Sequence, residues 1–280
     1  MLFKSTDFWE NSSLALKIAN DKWLTYDMLD RLRLPKVDTH YVNISTYVKY
    51  IQDTDFTFPL VIKPLDDGHG NGVETQIESK DELIAKLTRS FEKYSDMIIQ
   101  KQVYWDEFRF IVLRWKTISV LNRIPASIEW DWLHTIEELI TLENNSPERW
   151  DWYSWSKSKI VIDNELKSFI SKNWLALDCI PRNWETIQVR WNSNYWTGWS
   201  IKNCTLIAHR ELKEIAEKLA RELNMWIVWV DIMCEDITSP VKNQEVTILE
   251  INATTWLIWN EEVVWQNLAN IILKELFKLS

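Results

Sequence analysis

Glycine is nearly missing from this chain, which has 4 glycines and 19 tryptophans in 280 residues. Average usage of about 7% would supply roughly 20 glycines. The two counts together, 4 + 19 = 23, look ordinary, and the split between them does not. Few residues besides glycine enter the left-handed region of backbone space without strain, so a chain this poor in it has few ways to make tight turns. Yet tryptophan stands where turn chemistry asks for glycine: in Asn173-Trp174, in Asn183-Trp184, and in the stretches EWDWLH and RWDWYSW. Each side chain forced to positive φ costs about 1 to 2 kcal/mol. A dozen such residues would cost on the order of 10 kcal/mol, comparable to the roughly 5 to 15 kcal/mol that stabilises a whole domain. We therefore expect most of these tryptophans to stand at glycine positions and to arise in decoding, because UGA is read as Trp in some genetic codes and as Gly in others. The competing reading is a Trp-rich protein with aromatic platforms for sugars or bases.

The chain is 46% hydrophobic, enough for one large domain or two smaller ones. Its 32 basic and 41 acidic residues leave a net charge of -9, which disfavours nucleic acid as a partner. Cys179, Cys204 and Cys234 are odd in number and lack a C-x-x-C spacing, so a disulfide framework or zinc site is not expected and a reducing cytoplasm is. The first twenty residues lack a signal-peptide core, and no run of eighteen apolar residues occurs, which speaks against a membrane span.

Periodicity predicts a helix over Asp21–Leu32 with Leu24, Met28, Leu29 and Leu32 inward, followed by an extended segment. FPLVIKP (Phe58–Pro64) reads as a buried strand running into LDDGHGNGV. Ser79 and Glu82 mark a capping box that opens a helix with Leu83, Ile84, Leu87 and Phe91 on one face. Three strands are expected between Met97 and Pro125, the last two a hairpin about Trp115-Lys116. A helix at His134–Ile140, a long mobile loop over Asn144–Lys159, a helix at Glu165–Lys172 and a strand ETIQVR (Glu185–Arg190) should follow. The C-terminal third reads as a helix over Arg210–Leu223, strands IVWVDIM and VTILEIN, and a helix from about Glu261 to Leu279.

Lys63 lies at the end of a strand, separated by two residues from DDGHGNG, which can set an ammonium beside backbone N–H groups that face an anion. An ordinary hairpin is the alternative for such a loop. Asp231 lies in an apolar strand, and Glu250 and Asn252, two apart, project to one face of another. Three hard oxygen donors of this kind suit Mg²⁺ beside nucleotide phosphates, although each alone also fits a solvent-facing strand residue. Arg109, Arg123 and Arg190 fall in or beside strands, where an inward guanidinium needs an anion and an outward one needs nothing.

These stretches, with glycine read at the suspect positions, resemble the ATP-grasp domains of bifunctional glutathione synthetases, cyanophycin synthetases and N-acetylglutaminylglutamine synthetases. FPLVIKPLDDGHGNGV is similar to their second ATP-binding strand and glycine-rich loop, and RWDWYSWSKSKI to their R-G-D-G-H loop. RWNSNYWTGWS matches an R-x-N-x-N-x-x-T-G-G segment, and WVDIM and ILEINATT match the metal-binding strands. Trp105, Trp130, Trp132, Trp150, Trp152, Trp184, Trp199 and Trp229 stand where the family usually has Gly. The resemblance implies an α+β ATP-grasp fold of two α+β subdomains with ATP held between them. A short extension at 1–19 would precede a domain at 20–280, divided near 103/104 into a subdomain with the Gly-rich loop and one with the Mg²⁺ site.

By the same resemblance Lys22 and Lys63 would hold ATP phosphates, covered by Asp67, Gly68, His69, Gly70, Asn71 and Gly72. Gln100, Lys101 and Val103 would contact adenine and Glu107 the ribose. Asp231, Glu250 and Asn252 would hold Mg²⁺, with Mn²⁺ as a substitute. Arg123, Arg190 and Asn194 would face the transferred phosphate and acyl substrate, with Lys157 and Lys159 on a closing loop. Gln100 departs from a frequent acidic residue, and Thr254-Thr255 from a Pro-containing segment. The implied reaction is ATP-dependent joining of a carboxylate to an amine through an acylphosphate, on an amino acid or short peptide. A homo-oligomer or a separate substrate-domain protein would be compatible partners. The alternative is a non-catalytic ATP-binding module.

Overall fold

The computed structural model describes residues 11–67, 71–147, 149–150, 157–181, 186–191, 198–253 and 268–277. In chain order the elements are α1 (Ser13–Ala19), α2 (Lys22–Arg31), β1 (Thr39–Asn43), α3 (Tyr47–Asp53), β2 (Leu60–Pro64), β3 (Glu74–Ile77), α4 (Lys80–Ser90), β4 (Asp96–Lys101), β5 (Asp106–Leu113), β6 (Lys116–Ile124) and β7 (Ser127–Ile128). They continue with α5 (Ile136–Asn144), β8 (Arg149–Trp150), β9 (Lys157–Ser158), α6 (Asn164–Lys172), β10 (Ile187–Gln188), β11 (Ser200–Asn203), α7 (Arg210–Glu222), β12 (Ile227–Cys234), β13 (Val246–Asn252) and α8 (Leu268–Phe277). The chain divides into two compact units, Met1–Ile118 with Leu206–Thr255, and Ser119–Thr205 with Trp256–Ser280.

The first unit contains an antiparallel sheet in the order β1-β4-β2-β3. Strand alternation sends Leu60, Ile62, Met97 and Ile99 to one face, where they pack with Ile51 of α3 and Leu83 and Leu87 of α4. Lys63 is therefore turned to the opposite face, in register with Ile98. The helix α4 begins at Ser79, whose hydroxyl accepts from the Glu82 amide at 3.2 Å. The Glu82 carboxylate reaches back to the amide of Glu78 instead of Ser79, at 2.9 Å. A second antiparallel group, β5-β12-β13, is covered by α7, and β12 at its centre is buried along almost its whole length.

In the second unit β6 pairs antiparallel with β11, β7 with β10, and the two-residue strands β8 and β9 pair in parallel. The helices α5 and α6 supply Ile136, Leu139, Ile140, Leu166, Phe169 and Ile170 to a common core. A reciprocal capping box, Thr135 with Glu138, starts α5.

Three helices end in one backbone pattern. At the ends of α2, α6 and α7, the residues Arg33, Trp174 and Asn224 take φ of 52°, 60° and 50°. The amides after them, Leu34, Leu175 and Met225, bond back to the carbonyls of Leu29, Ile170 and Ala220. These are Schellman closures, whose left-handed position usually belongs to glycine. Trp115 (φ 63°), after Arg114 (φ 45°), makes the hairpin turn between β5 and β6, and Trp132 is left-handed as well (φ 72°). Among the described residues, three tryptophans thus occupy the backbone region that disfavours a Cβ.

Several elements differ from the periodicity. The inward face of α2 is Thr25, Tyr26 and Leu29, and Leu24 is exposed. Polar side chains turn inward there because the hydroxyl of Thr25 finds the Ile18 carbonyl (2.7 Å) and that of Tyr26 finds the Leu249 carbonyl (2.6 Å). Of the expected strand at Glu185–Arg190, Glu185 lies outside the described residues and Ile187–Gln188 are paired, and the expected loop over Asn144–Lys159 contains the β8–β9 pair. Residues 151–156 and the first part of the last helix lie outside the described residues. No helix among the described residues is long and apolar enough to cross a membrane.

Candidate functional site

In the first unit, Arg109 of β5, Asp231 of β12 and Glu250 of β13 stand directly opposite one another. Directly opposed residues of antiparallel strands share a sheet face. Glu107, two residues from Arg109, and Asn252, two from Glu250, share it too. The row is interrupted just beyond Asp231 by a bulge, where the register jumps to Ile232 against Ile248. The bulged strand carries Leu249, whose carbonyl takes the Tyr26 hydroxyl and fastens α2 to the rim of the row.

Asp231 is 0% exposed and accepts two bonds from Arg109, from Nε and Nη2, each 2.7 Å. This is the planar two-point pairing that guanidinium favours. Burial alone would lower the basicity of Arg109, and Asp231, with Glu250 and Glu107 beyond it, more than reverses this. The inward arginine and the acid in an apolar strand, two separate features of the sequence, turn out to be one pair.

Lys22 and Lys63 complete the cluster. Burial pulls the Lys63 ammonium down to about 8, Glu250 opposes that fall and Lys22 adds to it. Lys22 is lowered as well, again by burial, with Glu250 and then Asp67 opposing. Two ammonium groups therefore sit near enough to Glu250, and to each other, to feel both charges. The Lys22 ammonium also donates to the carbonyl of Asp67 at 2.7 Å, at the mouth of the glycine-rich loop. Gly72 at the loop's far side has φ +66°. Gly68, His69 and Gly70 lie outside the described residues.

The donor set suits a hard divalent cation. Glu250 and Asn252 share a face, and the Asn252 amide donates to Glu250 at 3.0 Å, which leaves the amide oxygen as a donor to a metal. Asp231 offers a second carboxylate, already bridged to Arg109. Among the described residues no group of three or more His, Cys, Asp and Glu side chains converges, so a metal here would need an amide oxygen and ligand oxygens as well.

Of the residues expected at adenine, Gln100 is buried in the middle strand of its sheet, donating to the Thr39 hydroxyl at 2.9 Å. Lys101 at the strand end is exposed and Val103 beyond it half-buried.

The second unit holds Arg123, Lys159 and Arg190. Arg123 lies 5.1 Å from the ring of Trp199. Arg190 is 0% exposed: its guanidinium meets Asp163 at 2.6 Å, Glu165 at 3.0 Å and the Val161 carbonyl at 2.7 Å. Its charge is thereby answered by the first turn of α6. Asn194 and the side chain of Lys157 lie outside what is described. Sequence reasoning passed over Arg149, which is 4% exposed and joins Glu143 (2.8 Å) and the carbonyls of Ser158 (2.5 Å) and Gly198 (2.8 Å). Nothing local signals that role, since its partners lie up to 49 residues away.

Trp229 shares the face of the acid row and stacks on Arg109, 4.6 Å from the ring centre. The buried indole N–H groups of Trp229 and Trp130 have no hydrogen-bond acceptor. Trp199 is also buried.

No family profile matches the chain. The cyanophycin synthetase of Crocosphaera subtropica is 30% identical over 242 residues, 86% of this chain and 28% of that protein. The glutathione biosynthesis bifunctional protein of Clostridium perfringens is 28% identical over 257 residues, 89% of this chain and 32% of that protein. The chain thus spans about a third or less of the length of these relatives. Among solved structures, a bifunctional glutathione synthetase from Pasteurella multocida matches 96% of the chain with TM-score 0.64 at 21% identity, covering 38% of that chain. A D-alanine–D-alanine ligase from Bacillus anthracis matches 94% with TM-score 0.54 at 15% identity, covering 69% of that chain. With its two α+β units, its glycine-rich loop beside Lys63 and its row of acids on paired strands, this chain has the ATP-grasp fold.

Proposed function

We propose that the protein is an ATP-dependent carboxylate–amine ligase, acting on an amino acid or short peptide through an acylphosphate. The observation that carries this reading is the joint placement of two depressed lysines, Lys22 and Lys63, beside Glu250 and the glycine-rich loop. Phosphates entering there would offset the burial that disfavours both ammonium charges, while the loop from Asp67 to Gly72 covers them. Asp231, Glu250 and Asn252 would hold Mg²⁺, with Mn²⁺ able to replace it, and the metal would supply charge neutralisation between phosphate oxygens. Lys101 and Val103 would meet the base, with Gln100 supporting the strand behind it, and Glu107 would meet the ribose.

Positioning and charge neutralisation dominate phosphoryl transfer, so cations near the receiving carboxylate matter most. We favour Arg123 over Arg190 for that contact, because the carboxylates of Asp163 and Glu165 already engage Arg190; Lys159 and Asn194 remain proposed beside it from the resemblance. ADP release on adding Mg²⁺, ATP, an amino acid and an amine checks the activity. Glu250→Gln should abolish that release while leaving the melting midpoint within a few degrees, and retained turnover refutes the metal assignment. ATP binding without turnover across a broad panel of amino acids and γ-glutamyl peptides would refute the ligase.

We further infer that the surplus tryptophans stand for glycine in the native protein. The left-handed backbone at Trp115, Trp132 and Trp174 and the acceptorless indoles of Trp130 and Trp229 support it. The codons at the 19 positions and the intact mass of the protein from its source check it: UGG codons at the suspect positions end the idea.

A further inference from the structure

The glycine-rich loop has two ends, and a single side chain touches both. At its start, the carboxylate of Asp67 accepts from the Tyr94 hydroxyl at 2.8 Å. At its finish, Gly72 lies against the same ring so closely that a Cβ there would sit 2.6 Å from Tyr94 Cε2 and 2.8 Å from its Oη. Between them the Asn71 amide donates to the other Asp67 oxygen at 3.2 Å, closing the neck of the loop. Lys93 adds a donor to the Tyr94 hydroxyl at 2.7 Å and lies 3.5 Å from Asp67.

The ring itself does not follow the loop. Tyr94 is tied by its amide to the Ser90 carbonyl at the end of α4 (2.9 Å) and packs against the core formed by β1, β2, β4, α3 and α4. Asp67 is shared in turn: its carboxylate meets Tyr94, while its backbone carbonyl accepts from Lys22 at 2.7 Å. A shift of Asp67 is therefore felt by the Lys22 ammonium.

We propose that Tyr94 is a positioning residue that pins both ends of the glycine-rich loop to the core and so sets the protein's affinity for the triphosphate, but not for the nucleoside part of its ligand. This rests on the ATP reading above. A hydroxyl donating to a carboxylate is among the stronger neutral-donor hydrogen bonds, and losing it without losing the ring frees the loop's start while keeping the wall behind Gly72.

The test compares the full chain with Tyr94→Phe, titrated with ATP, ADP and AMP in the presence of Mg²⁺. Tyr94→Phe should weaken ATP about tenfold, from the loss of one charge-assisted hydrogen bond, and AMP less than twofold, with the melting midpoint unchanged. Without nucleotide, the amides of Asn71 and Gly72 should exchange at least several-fold faster, which does not depend on any ligand. Gly72→Ala, which drives a methyl into the Tyr94 ring, should show the same ATP-selective loss. Equal loss for ATP and AMP, or unchanged ATP affinity and unchanged exchange in Tyr94→Phe, overturns the role of Tyr94 while the nucleotide site stands. A parent chain that binds neither ATP nor AMP overturns the nucleotide reading, and this one with it.

Discussion

Trp174 separates backbone strain from packing. It is 97% exposed, so removing its indole forfeits almost no buried surface. Its φ of 60° places it in the left-handed region at the end of α6, where the Leu175 amide closes the helix onto Ile170 at 2.9 Å. A Cβ at that position costs about 1 to 2 kcal/mol. Trp174→Gly relieves this and is partly offset by the greater freedom of glycine in the unfolded chain, about 0.4 to 1 kcal/mol. The expected net gain is about 1 kcal/mol, or roughly 2 °C in melting midpoint for a chain of this size. Trp174→Ala keeps the Cβ and the strain, so it should stay within about 0.5 kcal/mol of the parent. Urea denaturation followed by fluorescence and circular dichroism reads the difference as a shift in midpoint at constant slope. If the glycine variant is no more stable than the alanine variant, the left-handed strain assigned to this tryptophan is wrong, and the backbone argument for glycine at Trp115 and Trp132 weakens with it.

The buried pair gives an asymmetric prediction. Arg109→Leu strips Asp231 of its two-point partner inside the sheet and should cost about 3 to 5 kcal/mol, whereas Asp231→Asn should cost less, because Glu250 and Glu107 still lie near Arg109. Urea midpoints of the two single variants and the double variant decide this, and equal single costs count against it. Lys63 predicts a pH dependence. Its folded value, about 8, lies below the ordinary 10.5, so the folded chain binds fewer protons between those limits and stability rises with pH through that window. Below pH 8 the contribution is flat. Lys63→Met should lack the rise in urea midpoint from pH 8 to 10, and a parallel rise in the variant would mean that another group is responsible.

The longer helices and the apolar strands of this fold were legible because each writes its own period, whereas α1, α3 and the short strands β3, β7, β8 and β9 were not. The capped start of α4, the apolar run of β2 and the apolar strands β12 and β13 all declare themselves within about ten residues. Lys63 and the glycine-rich loop were legible for the same reason, as neighbours in sequence. The inward face of α2 was not, because Tyr26 and Thr25 are buried through bonds to carbonyls that hydrophobic periodicity does not see.

By itself the sequence determined the longer helices and the apolar strands, that three hard-oxygen side chains lie on two of those strands, and that tryptophan occupies turn positions that want glycine. Those are local facts, set by alternation and by turn chemistry. Only the tertiary structure decided which charges meet. Register across three strands joins Arg109, Asp231 and Glu250, whose positions in the chain are 109, 231 and 250. The fold likewise closes Asp163 and Glu165 over Arg190 and brings Tyr94 to both ends of the loop that starts at Asp67. Charge pairing depends on distance in space, and a sequence specifies that distance only through the packing of everything between.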